Sequence, residues 1–238
     1  MGLIRSARLW VGLTLLLIVA GDLYVVSLGQ NGLDVAIILS LRTPGYLADP
    51  LGPAWLAETG RDLTGLGSNG VMGLVVFTVA GGLLLLHRWQ HLLALVLSSG
   101  SALLCNALLK IAVHRPRPHL VPGTPLVFTT SFPSSHAMLS AATFFTLAGI
   151  VAASSTSRSL ARFCFVMAGI GTGLIGLSRI YLAVHWPTDV LGGWAGGLFC
   201  ALVSWTLAGR FSDAGTAVGT DRSPPEKLVG PAEGRVGP

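Results

Sequence analysis

Charge is scarce in this chain. Asp, Glu, Lys and Arg make up 11% of its 238 residues and hydrophobic residues 52%, with a mean hydropathy of +0.71. Too little polar surface remains to cover a water-facing globule, which excludes an ordinary soluble fold and makes lipid the solvent. Cysteine is scarcer still. Cys105, Cys164 and Cys200 are odd in number, sit within apolar runs and lack metal-ligand spacing, so a disulfide framework and a zinc site are both excluded. Lysine is far outnumbered by arginine, and the net charge of +5 comes from basic residues scattered singly between apolar runs. That dispersion argues against nucleic acid as a partner and fits loops facing an anionic membrane leaflet.

What is abundant is apolar sequence. Segments long enough to cross a hydrocarbon layer of roughly 30 Å occur near 9–28, 70–87, 92–113, 135–154, 161–180 and 188–208. The expectation is an all-α polytopic membrane protein, a bundle of about six transmembrane helices, with one membrane-embedded domain over 1–210. The tail, 211–238, is rich in Gly, Pro and charge and is expected to be disordered in the cytoplasm. Arg5, Arg8, Arg88, Arg158, Arg162 and Arg210 fall at ends that are cytoplasmic if both termini are inside, consistent with a multi-pass protein of the inner (plasma) membrane. The first segment reads as a span rather than a secretory signal, because its apolar run continues to Leu28.

Residues 29–69 form a long outer loop. Its apolar run Val35–Leu41 and its Trp55, Leu56 and Leu63 fit a surface-lying lid as well as they fit a packed loop. Gly169 and Gly173, and Gly192, Gly193, Gly196 and Gly197, have small-xxx-small spacing; it fits packing inside the bundle before it fits a homodimer seam.

Three polar clusters interrupt the apolar pattern. Lys110-Ile-Ala-Val-His-Arg115-Pro-Arg117-Pro118 ends the third span, Pro133-Ser134-Ser135-His136 opens the fourth, and Ser178-Arg179 through His185 to Asp189 joins the fifth to the sixth. The third span exits, the fourth re-enters, the fifth exits and the sixth re-enters, so all three clusters meet at one, extracytoplasmic, membrane face. Cations at such depth are costly without a partner, and an anion is the obvious one.

The chemistry of the clusters is that of a phosphate site. Lys110, Arg117 and Arg179 supply positive charge, and the start of the fourth helix supplies unpaired N–H groups and a favourable dipole end. Ser134 and Ser135 stand where their hydroxyls either cap that helix or donate to phosphate. Two histidines suggest turnover, since one neutral ring can attack phosphorus while another gives a proton to the departing oxygen. Asp189, four residues beyond His185 where Pro187 is suited to begin a helix, can hold one nitrogen of His185 protonated and leave the other free to attack. His136 is then the acid. Asp189 is the only carboxylate in the clusters, and cations stand where a metal would be repelled, so no metal and no cofactor is expected. His114, Arg115 and His119 fit solvated loop residues before they fit contacts to a second phosphate or the headgroup.

In order and spacing these residues resemble the tripartite signature of the type 2 phosphatidic acid phosphatase superfamily: Lys110, six residues, Arg117-Pro118; Pro133-Ser134-Ser135-His136; then Ser178-Arg179, five residues, His185, three residues, Asp189. The resemblance covers about 60–205, with Arg61-Asp62-Leu63-Thr64 as a weaker cue. It implies a six-helix membrane phosphatase whose site faces the periplasm or exterior and whose substrate is a lipid phosphate. It further implies that His185 forms a phosphohistidine and is oriented by Asp189, that His136 serves as acid and then base, and that Lys110, Arg117, Ser134, Ser135 and Arg179 hold the phosphate. The second motif departs from the usual Pro-Ser-Gly-His, with Ser135 in the glycine place, where a side chain could crowd the approach of phosphate to the backbone.

Two other readings fit some of these residues. A vanadium haloperoxidase holds its anion with the same cations but is typically soluble, and a non-catalytic lipid binder or transporter has no need of His136 and His185. Nothing in the motifs reads the lipid tail or headgroup, so undecaprenyl diphosphate, phosphatidylglycerol phosphate, phosphatidic acid and lipid A phosphates all qualify. The excess of Arg, Ala and Gly suggests a GC-rich bacterial genome, which tilts the expectation to undecaprenyl diphosphate.

Overall fold

The computed structural model describes residues 32–122 and 129–218, together with positions 12, 13, 20, 21, 23, 24 and 26. The expected span at 9–28 falls largely outside the described residues. A short helix α1 (Gly32–Ser40) leads into an antiparallel hairpin, β1 (Arg42–Thr43) and β2 (Tyr46–Pro50). Thr43-Pro44-Gly45-Tyr46 makes its turn, where proline presets one central residue and Gly45 takes the positive φ of 82° at the next. Helix α2 (Ala54–Leu66) then meets α3 (Asn69–Leu85) at a bend of 45°, so the expected span at 70–87 is the second limb of a broken pair. The break has a local cause: Gly67 is the C-cap of one helix and Ser68 the N-cap of the next, its hydroxyl accepting from Val71 N at 3.3 Å.

Four helices are each long and apolar enough to cross a membrane: α4 (Trp89–Val113), α5 (Ser135–Ser154), α6 (Arg158–Tyr181) and the membrane part of α7 (Pro187–Val218). With the bent pair counted as one span the described residues hold up to five, and the protein is a multi-pass helical membrane protein. The backbone of α7 stays helical to Val218, past the boundary expected at 210. The remainder of the expected tail, 219–238, lies outside the described residues.

Helix α5 is the centre of the bundle, packed on α4, α6 and α7. Most of its inward residues are small: Ala137, Ser140, Ala141, Ala142, Thr143, Thr146 and Ala148 are buried, beside the larger Met138, Leu139 and Ile150. Small faces allow close helix approach in a medium that offers no hydrophobic drive between helices. A Cβ on Gly193 of α7 would lie 2.8 Å from Ser134 O, and one on Gly197 only 2.2 Å from Met138 O. Those glycines therefore serve packing inside the bundle, whereas a Cβ on Gly169 or Gly173 of α6 meets nothing within 4 Å. A polar seam ties α4 to α5, with Ser98 Oγ donating to Ala142 O at 3.1 Å, Thr146 Oγ1 to Ser98 Oγ at 2.9 Å, and Ser99 paired with Thr143 at 3.2 Å. All three cysteines are free.

Of the loop expected at 29–69, the described residues 32–69 contain α1, the hairpin and α2; α1 is packed on the bundle, whereas Trp55 and Leu56 are exposed. Ile38 of α1 is fully buried in a cluster with Val121, Ala137, Ile180, Ala183, Trp186 and Val190, directly beneath the clustered motif residues. Arg42 is buried too; it donates to Tyr181 O at the C-terminal end of α6 and lies 5.8 Å over the Tyr181 ring, pinning the hairpin to the bundle.

Candidate active site

The three motifs converge. Lys110 stands in the last turn of α4, Ser134 and His136 at the start of α5, Arg179 in the last turn of α6, and His185 and Asp189 flank the start of α7, which begins at Pro187 as the sequence predicts. His136 feels the charges of Arg179, His185, Arg117 and Lys110, which brings all five into one electrostatic cluster.

His185 is buried, and its tautomer follows from its two partners. Nδ1 lies 3.3 Å from Asp189 Oδ2 and Nε2 lies 3.1 Å from Arg117 Nη1. A carboxylate only accepts and a guanidinium only donates, so Nδ1 carries the proton and Nε2 presents a lone pair to the cations. Burial pushes the ring down to about 4; the hydrogen bond and charge of Asp189 pull the other way, and Arg117 and Arg179 add to the depression. At neutral pH it is an uncharged imidazole aimed at the cation cluster.

Among the described residues these cations have no ion-pair partner. Lys110 Nζ donates to Thr130 O at 2.5 Å. Arg117 donates to Thr129 O at 2.8 Å, Val184 O at 2.7 Å and Thr129 Oγ1 at 3.0 Å, and burial lowers its guanidinium from the ordinary range while Asp189 opposes that shift. Arg179 donates to Thr64 Oγ1 of α2 at 2.9 Å. Every one of these acceptors is neutral, and among the described residues none of the three cations forms a salt bridge. Arg179 Nε and Ser134 Oγ are buried without any hydrogen-bond partner. Ser134 occupies the N-cap position of α5 yet makes no side-chain cap, so the capping alternative fails and its hydroxyl is free for a ligand.

Ser135 behaves differently from its neighbour. Its hydroxyl donates to Asn106 Oδ1 at 2.7 Å, while Asn106 Nδ2 donates to Pro133 O at 3.2 Å. The serine in the usual glycine place is thus turned toward α4 and held there by an amide that sequence reasoning missed. Its signal was present: Asn106 is a lone amide inside an apolar span, where polar groups are expensive and generally serve a purpose.

Arg115 corrects the sequence reading. It was expected to be solvated and is instead buried, with Nη2 2.8 Å from Asp34 Oδ2 and Nη1 2.7 Å from Asp189 Oδ1. The guanidinium also lies 5.4 Å over the Trp186 ring. His114 and His119 are exposed, as expected of loop residues. Asp34, contributed by α1, adds a second carboxylate near a site that the motifs alone gave only one. Ser131, missed as well, donates to Asp189 Oδ2.

A family model described as the PAP2 superfamily matches residues 91–213. The chain belongs to that superfamily, and its class of activity is that of a PAP2-type lipid phosphatase. Phosphatidylglycerophosphatase B of Bacillus subtilis (strain 168) is 35% identical over 148 residues, 60% of this chain and 71% of that protein. The crystal structure of a transmembrane PAP2 type phosphatidylglycerolphosphate phosphatase from Bacillus subtilis superposes with a TM-score of 0.68 at 26% identity, covering 87% of this chain and 96% of that one. Aquifex aeolicus LpxE superposes with a TM-score of 0.52 at 24% identity, over 66% of this chain and 88% of its own, a likeness of fold alone.

Proposed function

We propose that the protein hydrolyses a lipid phosphate through a phosphohistidine on His185, without a metal or cofactor, and that phosphatidylglycerol phosphate is its first-choice substrate. The observation that carries this reading is the set of three cations, Lys110, Arg117 and Arg179, held only by neutral acceptors beside two unpartnered buried donors, Ser134 Oγ and Arg179 Nε. A phosphate brings the missing charge and acceptors together, and donors fixed in place before the reaction stabilise the transferring phosphoryl group without reorganising.

In this scheme Nε2 of His185 attacks phosphorus, the bond from phosphorus to the lipid oxygen breaks, and His136 gives its proton to that oxygen. The proton on Nδ1 stays with His185, and Asp189 balances the positive ring. His136, now neutral, takes a proton from water, whose oxygen attacks the phosphohistidine and releases inorganic phosphate. Ser135 is a weaker candidate for phosphate contact than Ser134, since its hydroxyl is engaged by Asn106. The placement of the site on the outer face of the inner membrane rests on the distribution of arginines in the short loops.

For the substrate, the names borne by the Bacillus subtilis relatives favour phosphatidylglycerol phosphate over undecaprenyl diphosphate, whose support is compositional only. The deciding experiment measures phosphate release by the purified full chain on a micellar panel of phosphatidylglycerol phosphate, undecaprenyl diphosphate, phosphatidic acid and lipid A phosphate. Phosphatidylglycerol phosphate is expected to give the highest kcat/KM, and His185→Ala to abolish release from every lipid. Parental rates in His185→Ala would remove the nucleophile from the scheme.

A further inference from the structure

Asp34 is an anomaly of placement. It is 1% exposed on a short helix outside the motifs, followed by the apolar run Val35–Leu41. A carboxylate is costly there unless fully paired. Its pairing is complete and aimed in one direction. Oδ2 accepts from Arg115 Nη2 at 2.8 Å and from Thr188 Oγ1 at 2.6 Å, and Oδ1 accepts from the backbone N of Thr188 at 3.1 Å. Thr188 immediately precedes Asp189, so α1 reaches across the fold to grip the first turn of α7.

Arg115 carries the grip onward. Its Nη1 donates to Asp189 Oδ1 and to Thr188 Oγ1, both at 2.7 Å. With Oδ1 so engaged, Asp189 Oδ2 is left to Ser131 Oγ, to the Trp186 backbone N at 2.9 Å and to His185 Nδ1 at 3.3 Å. Rotation of the carboxylate away from the imidazole would break several of these bonds together. Charge gives a second reason for Asp34. Arg115 and Asp189 alone would sum to zero and offer little stabilisation to a ring turning positive; with Asp34 the trio sums to −1, and in a dry site such a charge acts strongly.

We propose that Asp34 and Arg115 are positioning residues for phosphoryl transfer: Arg115 fixes the aim of Asp189 toward His185, and Asp34 restores the negative charge that Arg115 would otherwise cancel. The proposal rests on the reading of His185 as nucleophile, so the test carries a control for each. A plain staple for the loop would lower stability and the amount of active enzyme; positioning lowers kcat in protein that is folded.

The experiment measures kcat, KM and unfolding temperature in detergent, on the panel lipid that the parental protein hydrolyses fastest, for Asp34→Asn, Asp34→Asn with Arg115→Gln, and His185→Ala. Asp34→Asn keeps the size of the side chain but removes its charge and one of its two accepting oxygens, and is expected to lower kcat about 10- to 100-fold with KM within about threefold. The double variant returns the sum to −1 but loses the clamp, and its kcat is expected between the single variant and the parent. Parental kcat in a folded Asp34→Asn, while His185→Ala is inactive, overturns this inference alone; parental rates in His185→Ala overturn the nucleophile itself. If Asp34→Asn does not fold, the double variant decides: lowered kcat at unchanged KM supports positioning, and parental kcat refutes it.

Discussion

Gly67, at the bend between α2 and α3, provides a sharp test of how the first helices bear on the site. Its backbone, with φ −86° and ψ 3°, is open to any residue, so the requirement for glycine is one of room. A Cβ there would lie 2.4 Å from Ile175 Cγ2 and 3.3 Å from both Cβ and Cδ2 of His136. Carbon pairs rest at about 3.5–4.0 Å, so Gly67→Ala forces a displacement of about 1 Å on one side or the other. Ile175 is 1% exposed and has little space to retreat into. Overpacking of this kind costs about 1–3 kcal/mol. A misplacement of about 1 Å passed to His136 lowers turnover on the order of 100-fold.

Unfolding temperature and phosphate release in detergent measure the two effects separately. Adding Ile175→Ala removes the 2.4 Å contact and leaves those to His136. The double variant should therefore be more stable than the two single effects summed, while turnover stays below parental. Parental turnover and unfolding temperature in Gly67→Ala would refute the steric argument.

Ser134→Ala should leave unfolding temperature unchanged or slightly raised, because a buried hydroxyl without a partner is being removed, while kcat/KM for phosphate release falls about tenfold or more. Ser135→Gly should keep turnover within about threefold of parental, its hydroxyl being bound to Asn106 rather than free for phosphate; a loss of two powers of ten would return Ser135 to the phosphate. Because burial depresses His185 to about 4, the unfolded chain binds its proton first as pH falls. Stability should hold above about pH 6.5 and decline by about 3 kcal/mol toward pH 4. Unfolding temperature against pH measures this decline, and His185→Gln should make it shallower by the share that His185 contributes.

What the sequence made legible was whatever is written locally. The four long spans of α4 to α7 follow from apolar length, the start of α7 from Pro187, and the meeting of the motifs from the order in which successive helices cross the membrane. The interior fate of Arg115 was not legible, because its two carboxylate partners lie 81 and 74 positions away and neither spacing follows a helical period. An arginine between His114 and Pro116 looks the same from the sequence whether water or Asp34 faces it. The role of Asp34 escaped for the same reason, although an acid leading into an apolar run was a usable hint. Ser134 was legible as a helix start but not as an idle cap, since only the folded geometry shows where its hydroxyl fails to reach.

The glycine contacts between α5 and α7 bear on how this enzyme can change. His136 rides on one of these helices and Asp189 on the other, and at Gly193 and Gly197 the two main chains nearly touch. The spacing of the two arms of the site is thereby set by backbone atoms, which mutation of side chains elsewhere leaves alone. The lipid-facing residues of α4 and α6, among them Leu104, Ile111, Phe163 and Val166, are free to drift and to adapt to different bilayers or tails. Specificity can diverge on the outside of the barrel of helices while the reacting geometry stays locked.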